Sequence, residues 1–310
     1  MKKLVSVVTP AYNEADCIAD LITRLGAVFD AESEYEWECI VVENGSTDNT
    51  WELVRQGCET DPRFKAVRLA RNFRMDGGLT AGLDFATGDA CVLMASDLQD
   101  PPEFIPHFLR AWEQGYSNVY AVITKRTGTG LMRRINSRAF YWLARRLTGE
   151  KIPENASDFR LLDRRAYETL RMMDERNRFV RGLVGWMGFS ALGIPMERPP
   201  RPGGESKAHT LGVLDLALRG IFAHTVLPLR AISLAGLVLS VASVVGLLIS
   251  IVLWLTRGVP FGGFGTLTAL ILLGFGILIF FLGVISEYIG LIYEEVKRRP
   301  NFIVSQTIGL

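Results

Sequence analysis

Cysteine is scarce in this 310-residue chain. There are four, Cys17, Cys39, Cys58 and Cys91, and their spacing suits no metal site. A disulfide framework is therefore excluded as the source of stability, and four reduced core residues are expected instead. Histidine is scarcer still, at three scattered positions, so no histidine-built metal cluster is expected. An excess of either charge is also missing: the net charge of +1 creates no overall field of the kind that draws a protein to nucleic acid. No Walker A sequence occurs, and Thr127-Gly128-Thr129-Gly130 lacks the third glycine of a dinucleotide fingerprint, reading better as a mobile loop. No apolar leader is seen at the start, where Met1-Lys2-Lys3 runs straight into a strand-like segment.

Charge itself is absent from two long runs. Residues 231–256 hold 26 positions without a charge, and residues 258–286 hold 29. A membrane-spanning helix needs roughly 20 predominantly apolar residues, and neither run offers a polar face. Two spanning helices are expected, at about 231–256 and 264–286. Arg219 and Arg230 precede the first, Lys297, Arg298 and Arg299 follow the second, and the connection carries only Arg257. Positive residues gather on the cytoplasmic side, so a multi-pass protein of the cytoplasmic (inner) membrane is expected, with both termini in the cytoplasm. The sequons at Asn44 and Asn155 would then escape glycosylation.

What is present along residues 1–125 is a strand–helix alternation. Strand-like runs fall at 4–9, 39–42, 66–69, 90–95 and 119–124, with helical stretches at 16–29, 49–59, 79–86 and 103–114 between them. Apolar strands in this rhythm predict an α/β fold, a mainly parallel sheet with helices on both faces. Residues 131–148 set five arginines, Arg133 among them, between apolar and aromatic residues. That pattern suits a helix on an anionic membrane surface, or a solvated cationic helix. Residues 177–208, rich in Gly, Pro and Arg, read as a loop-rich link, and 209–228 as an amphipathic interface helix. The expected organisation is a catalytic domain over 1–208, the interface helix over 209–228, and two spans with a cytoplasmic tail over 229–310.

The most informative transition is the apolar run Cys91-Val92-Leu93-Met94-Ala95, which breaks into Ser96-Asp97-Leu98-Gln99-Asp100-Pro101-Pro102. It places anionic oxygens at the carboxyl edge of a sheet, where ligands bind in open α/β folds. Asp97 and Gln99 can turn oxygens toward one hard cation, Mg²⁺ or Mn²⁺; the alternative is a helix cap at Asp100 before Pro101. The first strand ends in Thr9-Pro10-Ala11-Tyr12-Asn13-Glu14. The second ends in Val42-Glu43-Asn44-Gly45-Ser46-Thr47-Asp48, where Ser46 and Asp48 also suit a turn and cap. Ser157-Asp158-Phe159-Arg160 follows later, and cations that suit phosphate occur at Arg133, Arg178, Arg181, Arg201 and Lys207, with Ser206 beside them.

These motifs, in this order, resemble family 2 glycosyltransferases of GT-A fold. Within them the chain is most similar to polyprenyl-phosphate glycosyltransferases related to dolichyl-phosphate mannose synthase and the bactoprenol glucosyltransferases. Arg71-Asn72-Phe73, Leu79-Thr80-Ala81-Gly82-Leu83, Gly204-Glu205-Ser206-Lys207 and Glu287-Tyr288-Ile289-Gly290 extend the resemblance along nearly the whole chain. It implies a nucleotide-sugar site formed by Pro10, Tyr12, Glu14, Glu43, Asn44, Arg71, Asp76 and Ser96. It implies metal ligation by Asp97 and Gln99, a catalytic part for Asp97 and Asp158, and acceptor phosphate on Arg133, Arg178, Arg181, Arg201, Ser206 and Lys207. The implied reaction is inverting transfer of one sugar, with UDP-glucose the best-matched donor, to undecaprenyl phosphate, by a homotetramer. Two departures stand out. Relatives read Asp-x-Asp-x-Gln where this chain has Ala95-Ser96-Asp97-Leu98-Gln99, and an Asp-Asp pair where it has Glu43-Asn44. Those departures keep open a catalytically silent membrane scaffold; a processive polysaccharide synthase would need more spans and a Gln-x-x-Arg-Trp signature, and neither is found.

Overall fold

The computed structural model describes residues 2–125, 156–176, 178–199, 227–257 and 263–310. The chain divides into two units, one of Met1–Thr210 with Arg298–Leu310 and one of Leu211–Lys297. The basic segment 131–148 with Arg133, the loop 127–130, Arg201, Ser206, Lys207 and most of 209–228 lie outside the described residues.

The first unit is built on one eight-stranded sheet. In chain order its elements are β1 (Leu4–Ala11), α1 (Ala15–Ala31), β2 (Glu36–Glu43), α2 (Thr50–Thr60), β3 (Phe64–Leu69) and α3 (Arg74–Phe85). Then come β4 (Ala90–Leu93), α4 (Ile105–Glu113), β5 (Asn118–Lys125), β6 (Ala156–Asp163), α5 (Arg164–Met172), α6 (Val180–Trp186), β7 (Ala191–Glu197) and, far along the chain, β8 (Val304–Ile308). Strand order is β7-β5-β6-β4-β1-β2-β3-β8. β4, β1, β2 and β3 run parallel. The sheet as a whole is mixed, because β6 is antiparallel to both β4 and β5 and β8 is antiparallel to β3.

Strand residues alternate between two apolar layers. Val5 and Val7 join Ile18, Leu21, Val54 and Phe108 on the face covered by α1, α2 and α4. Val8, Ile40 and Val42 join Leu79, Leu83, Tyr167 and Leu183 on the face covered by α3, α5 and α6. Cys17, Cys39 and Cys91 are buried in these layers as free thiols, and Cys58 is half-buried. The amino edge of the sheet carries a closed polar knot. Glu38, 3% exposed, accepts from Ser6 Oγ at 2.6 Å, Lys65 Nζ at 2.7 Å and Thr87 N at 2.7 Å. With its oxygens satisfied by donors from three segments, this carboxylate stabilises the sheet and faces away from the site described below.

α3 sits unusually close to the sheet. A Cβ added at Gly82 would lie 2.3 Å from Val8 Cγ1 and 3.0 Å from Val42 Cγ2. Gly82→Val is expected to destabilise the domain by about 1–3 kcal/mol through overpacking, read from the denaturant midpoint; an unchanged midpoint would show the layer is slack.

Two expectations are corrected here. Residues 177–208, read as a link, contain α6 and β7, whose glycine and proline content disguised them; β7 is an edge strand, where Pro195 is tolerated. The segment after the second apolar run, expected as a tail, returns to the sheet as β8. It pairs Ala66 with Ile308 and Arg68 with Gln306, and Ile303 O accepts the Ala70 N–H at 2.9 Å.

The second unit contains α7 (Leu227–Arg257) and α8 (Phe264–Lys297). Within α8, Leu273–Lys297 is long and apolar enough to cross a membrane. Of the two spans expected, this is the one helix among the described residues that meets the length; the apolar stretch of α7, Ala231–Gly246, is shorter.

Candidate active site

The parallel core reverses direction about β1: the chain proceeds to β2 and β3 on one side, then crosses back to β4 on the other. Such a switch point leaves a crevice at the carboxyl ends of the strands. A cleft of about 240 Å³ lies there, lined by Pro10 and Ala11 at the end of β1, Tyr12 and Glu14 after it, Asn44 after β2, Asn72, Arg74 and Met75 at the start of α3, and Ala95, Ser96 and Asp97 after β4.

The loops around the cleft are locked to one another. The Asn44 side chain accepts the Phe73 N–H and donates to Arg74 O, both at 2.8 Å, fixing the mouth of α3. Asn13 Oδ1 accepts the Thr47 N–H at 2.8 Å, Ser46 Oγ accepts the Asn13 N–H, and Thr50 Oγ1 accepts the Glu14 N–H. Ser96 Oγ donates to Pro10 O at 2.9 Å, tying the β4 exit to the β1 exit. Three of the four non-glycine residues with positive φ among the described residues, Asn13 at 53°, Arg74 at 63° and Leu98 at 59°, stand in these loops. Backbone strain of this kind is held in place at functional sites.

Leu98 shows why the sequence bends there. Its side chain is 4% exposed and packs into the core, so the left-handed turn at Leu98 leaves Asp97 and Gln99 half-buried on either side of it. Asp97 Oδ1 accepts the Gln99 N–H at 3.2 Å, and Asp100 Oδ2 accepts the Ala95 N–H at 3.1 Å, closing the loop on itself. Asp100 is thus a loop brace rather than the cap of α4. Burial pushes its carboxyl up to about 6, against the opposing charge of Arg198, which approaches it at 3.2 Å. Among the described residues no cluster of three His, Cys, Asp or Glu side chains forms a protein-only metal cage. Asp97 lines the cleft, and Gln99, two residues on, is not among its lining residues. An acid there with an amide nearby in sequence fits a cation that keeps waters and takes further oxygens from a phosphate ligand.

Beside this loop lies a second polar group of residues. β6 runs antiparallel to β4, pairing Leu93 with Arg160, which brings Asp158 alongside the segment that leaves β4. Arg181 on α6 grips Asp158 with Nε at 2.9 Å and Nη2 at 2.6 Å. Burial alone would raise the Asp158 carboxyl, but the charges of Arg181, Arg160 and Arg198 and the Arg181 hydrogen bonds outweigh it and hold the carboxyl below its usual range. Arg160, 3% exposed, donates Nη2 to Ser157 O, and burial pulls its guanidinium down to about 10. Asp76 Oδ1 accepts the Val180 N–H at 3.1 Å, and burial pushes its carboxyl up to about 6.

The raised Asp76 carboxyl has a defined sign for stability. Between the unfolded value near 3.8 and about 6 the folded chain holds a proton that the unfolded chain has lost, so this group's contribution falls as pH rises through that window. Asp76→Asn keeps an oxygen for the Val180 N–H. It is expected to gain about 1–2 kcal/mol relative to the parent between pH 4.5 and pH 7, measured by denaturant unfolding at both pH values.

Of the residues singled out in the sequence, Pro10, Tyr12, Glu14, Asn44, Ser96 and Asp97 converge on the cleft. Glu43 does not reach it: fully buried, it accepts from Ser46 N and from Arg68 Nε at 3.1 Å, bracing the Gly45 turn. Arg71 stacks over Phe73 at 4.1 Å on the outside, and Asp76 faces α6. Arg178 donates to Leu170 O at 2.6 Å, holding the end of α5, while Arg181 belongs to the Asp158 group. Asn72, Arg74, Met75 and Arg198 escaped notice. Arg71-Asn72-Phe73 pointed toward the first of these, but no spacing signal marks Arg198, which reaches Asp100 only through the fold.

A mixed α/β sheet whose switch-point cleft carries Asp97 on its β4 side is GT-A-like, the architecture of a glycosyltransferase. The chain belongs to glycosyltransferase family 2: residues 6–171 match the family described as Glycosyl transferase family 2. It is 38% identical over 305 residues to the uncharacterized glycosyltransferase YkcC of Bacillus subtilis, covering 98% of this chain and 94% of that one. It is 34% identical over 303 residues to the SfII prophage-derived bactoprenol glucosyl transferase of Shigella flexneri, covering 98% of each. The prophage bactoprenol glucosyl transferase homolog of Escherichia coli is 34% identical over 307 residues, covering 97% of this chain and 98% of that one. A solved structure, glucosyl-3-phosphoglycerate synthase from Mycobacterium tuberculosis, is similar with a TM-score of 0.49 at 20% identity, over 72% of this chain and 78% of that one.

Proposed function

We propose that the protein transfers one glucosyl residue from UDP-glucose to a polyprenyl phosphate, of the undecaprenyl type, at the cytoplasmic face of a membrane. A lipid phosphate oxygen attacks the anomeric carbon as the bond from that carbon to the UDP oxygen breaks, so UDP departs and the configuration inverts. Asp97 and Gln99 would hold Mg²⁺ or Mn²⁺, which when bound supplies charge stabilisation to the departing diphosphate. Tyr12, Glu14 and Asn44 face the cleft from the side that would take the nucleotide. The observation that carries this reading is coverage. Likeness to proteins named bactoprenol glucosyl transferase extends over 98% of both chains, through the apolar helices as well as the catalytic unit. Apolar helices shared along with the catalytic unit suit an acceptor that lies in a membrane.

The pairing of β8 with β3 supports a two-span topology. β8 pairs with β3, so the residues before and after the helical unit stand on one side of any membrane, and the crossings between them must be even in number. If Leu273–Lys297 crosses, α7 crosses back. In the sequence Arg219 and Arg230 precede the charge-free stretch of the first helix and Lys297, Arg298 and Arg299 follow that of the second, which supports a cytoplasmic catalytic unit.

The test uses full-length protein in detergent with labelled UDP-glucose, undecaprenyl phosphate and Mg²⁺ or Mn²⁺. Labelled lipid is expected. Its absence with every common nucleotide sugar, under conditions where a bactoprenol glucosyl transferase is active, overturns the reading. Screening donors by thermal shift ranks them independently: a donor present at 100 times its Kd adds about 2.7 kcal/mol of stability, an upward shift of about 5–10 °C for a domain of this size.

A further inference from the structure

Asp158 has both carboxylate oxygens taken by a single guanidinium. Arg181 donates Nε to Oδ1 at 2.9 Å and Nη2 to Oδ2 at 2.6 Å, in the parallel two-bond geometry that makes arginine–carboxylate pairs strong and directional. A carboxylate held in this way is a poor proton acceptor. The helix that carries Arg181 is fixed as well. Val180, 2% exposed, packs in the layer with Leu183, Val184 and Tyr167, and its N–H is received by Asp76 Oδ1 at 3.1 Å. Asp76 follows Arg74 and Met75, which line the cleft, so one short path of bonded residues joins the cleft to the guanidinium.

We propose that Asp158 and Asp76 are positioning residues for Arg181, and that Arg181 receives the acceptor's phosphate monoester. The proposal rests on the transferase reading above and deepens it. Asp158 sets the plane of the guanidinium, and Asp76 sets the start of the helix bearing it. The chemistry asks for this division of labour. A phosphate monoester with a second ionisation near about 6 is largely dianionic at neutral pH and brings its own nucleophilic oxygen. It needs no base; it needs a cation to bind it, and a guanidinium whose plane is set by a carboxylate offers its remaining N–H groups already oriented, so less is lost on binding. Arg160 and Arg198 add positive charge near Asp158, although Arg198 is itself paired with Asp100 at 3.2 Å.

The test compares Asp158→Asn, Arg181→Gln and the double variant in the full-length chain. KM for undecaprenyl phosphate and kcat are read separately, and binding of UDP with Mn²⁺ is read by calorimetry. Each single change is expected to raise the lipid-phosphate KM by about 10–100-fold, with kcat lowered less than tenfold and UDP binding unchanged. The double variant is expected to be no worse than Arg181→Gln alone, because the two side chains act as one unit. Asp158→Asn strands a half-buried guanidinium and can fail to fold. In that event Asp158→Glu, which keeps the charge but displaces the fork, carries the same expectation: KM moves and kcat does not. A loss in kcat of about 10³-fold at constant KM in either Asp158 variant, or effects that multiply in the double variant, overturns the proposal while leaving the transferase reading intact. Parent protein that makes no lipid-linked sugar overturns both.

Discussion

Asp97→Asn is expected to lower sugar transfer by about 10³-fold and to remove metal-dependent UDP binding, with the fold unchanged. The magnitude is that of losing one preorganised electrostatic contact to a developing charge. The geometry makes Asp97 the sensitive position. It lines the cleft at the β4 exit, its neighbour Gln99 has an amide and not a second charge, and Ala95 offers no side-chain oxygen. Asp97 is therefore the one carboxylate of the Ala95–Gln99 stretch, and a cation with a single anionic protein ligand has little to fall back on. The fold should survive because Leu98 and Asp100 shape the loop: Leu98 fills the core and Asp100 holds the Ala95 N–H. Calorimetry with UDP, with and without Mn²⁺, reads the binding loss, and circular dichroism reads the fold. Retained metal-dependent binding would show that the cation sits elsewhere.

The second large effect lies far from the cleft in sequence. Removing residues 304–310 is expected to lower the melting temperature of the catalytic unit by about 10 °C or more. β8 covers the open edge of β3 through its ladder, and Ser305 Oγ adds a bond to Arg68 O at 3.1 Å. Val304 packs on one apolar layer and Ile308 on the other. Each backbone bond contributes about 1 kcal/mol net, so several together with this packing amount to about 3–5 kcal/mol. For a domain of this size each kcal/mol moves the midpoint by about 2–4 °C. Arg68 also braces Glu43 at the Gly45 turn, so the loss should reach the cleft as weaker donor binding. Thermal unfolding of the truncated and full chains settles the point, and an unchanged midpoint would make β8 a passive strand.

Much of this was legible in the sequence, for physical reasons that differ by element. β1 to β5 announce themselves because strands buried on both faces read as continuous apolar runs. The order of carboxyl-edge motifs located the cleft, since each such strand ends in polar residues where the sheet opens. α3 begins five residues earlier than expected: Gly77-Gly78 looks like a break, but Gly78 lets the helix approach Pro10, where a Cβ would come within 2.7 Å. β8 was hidden because a five-residue edge strand with polar outward positions carries almost no periodic signal, and its partner lies over 230 residues away. Glu43 was assigned to the nucleotide by motif position; only the fold reveals that Arg68 and Ser46 claim it. The Asp158–Arg181 pair was equally out of reach, because α6 lay within a segment whose composition reads as loop.

The return of the chain to β3 also sets a schedule for biosynthesis. β1 to β7 are made before either apolar helix, so the nascent catalytic unit can gather its core early, yet its β3 edge stays open until β8 has been translated. An open edge is a template for pairing with other strands, and during synthesis it stays exposed while α7 and α8 are being made. The helices are delivered first and the sheet is sealed afterwards. In a ribosome-bound chain stopped after α8, the order should be visible as a catalytic unit that has formed but remains sensitive to protease along β3.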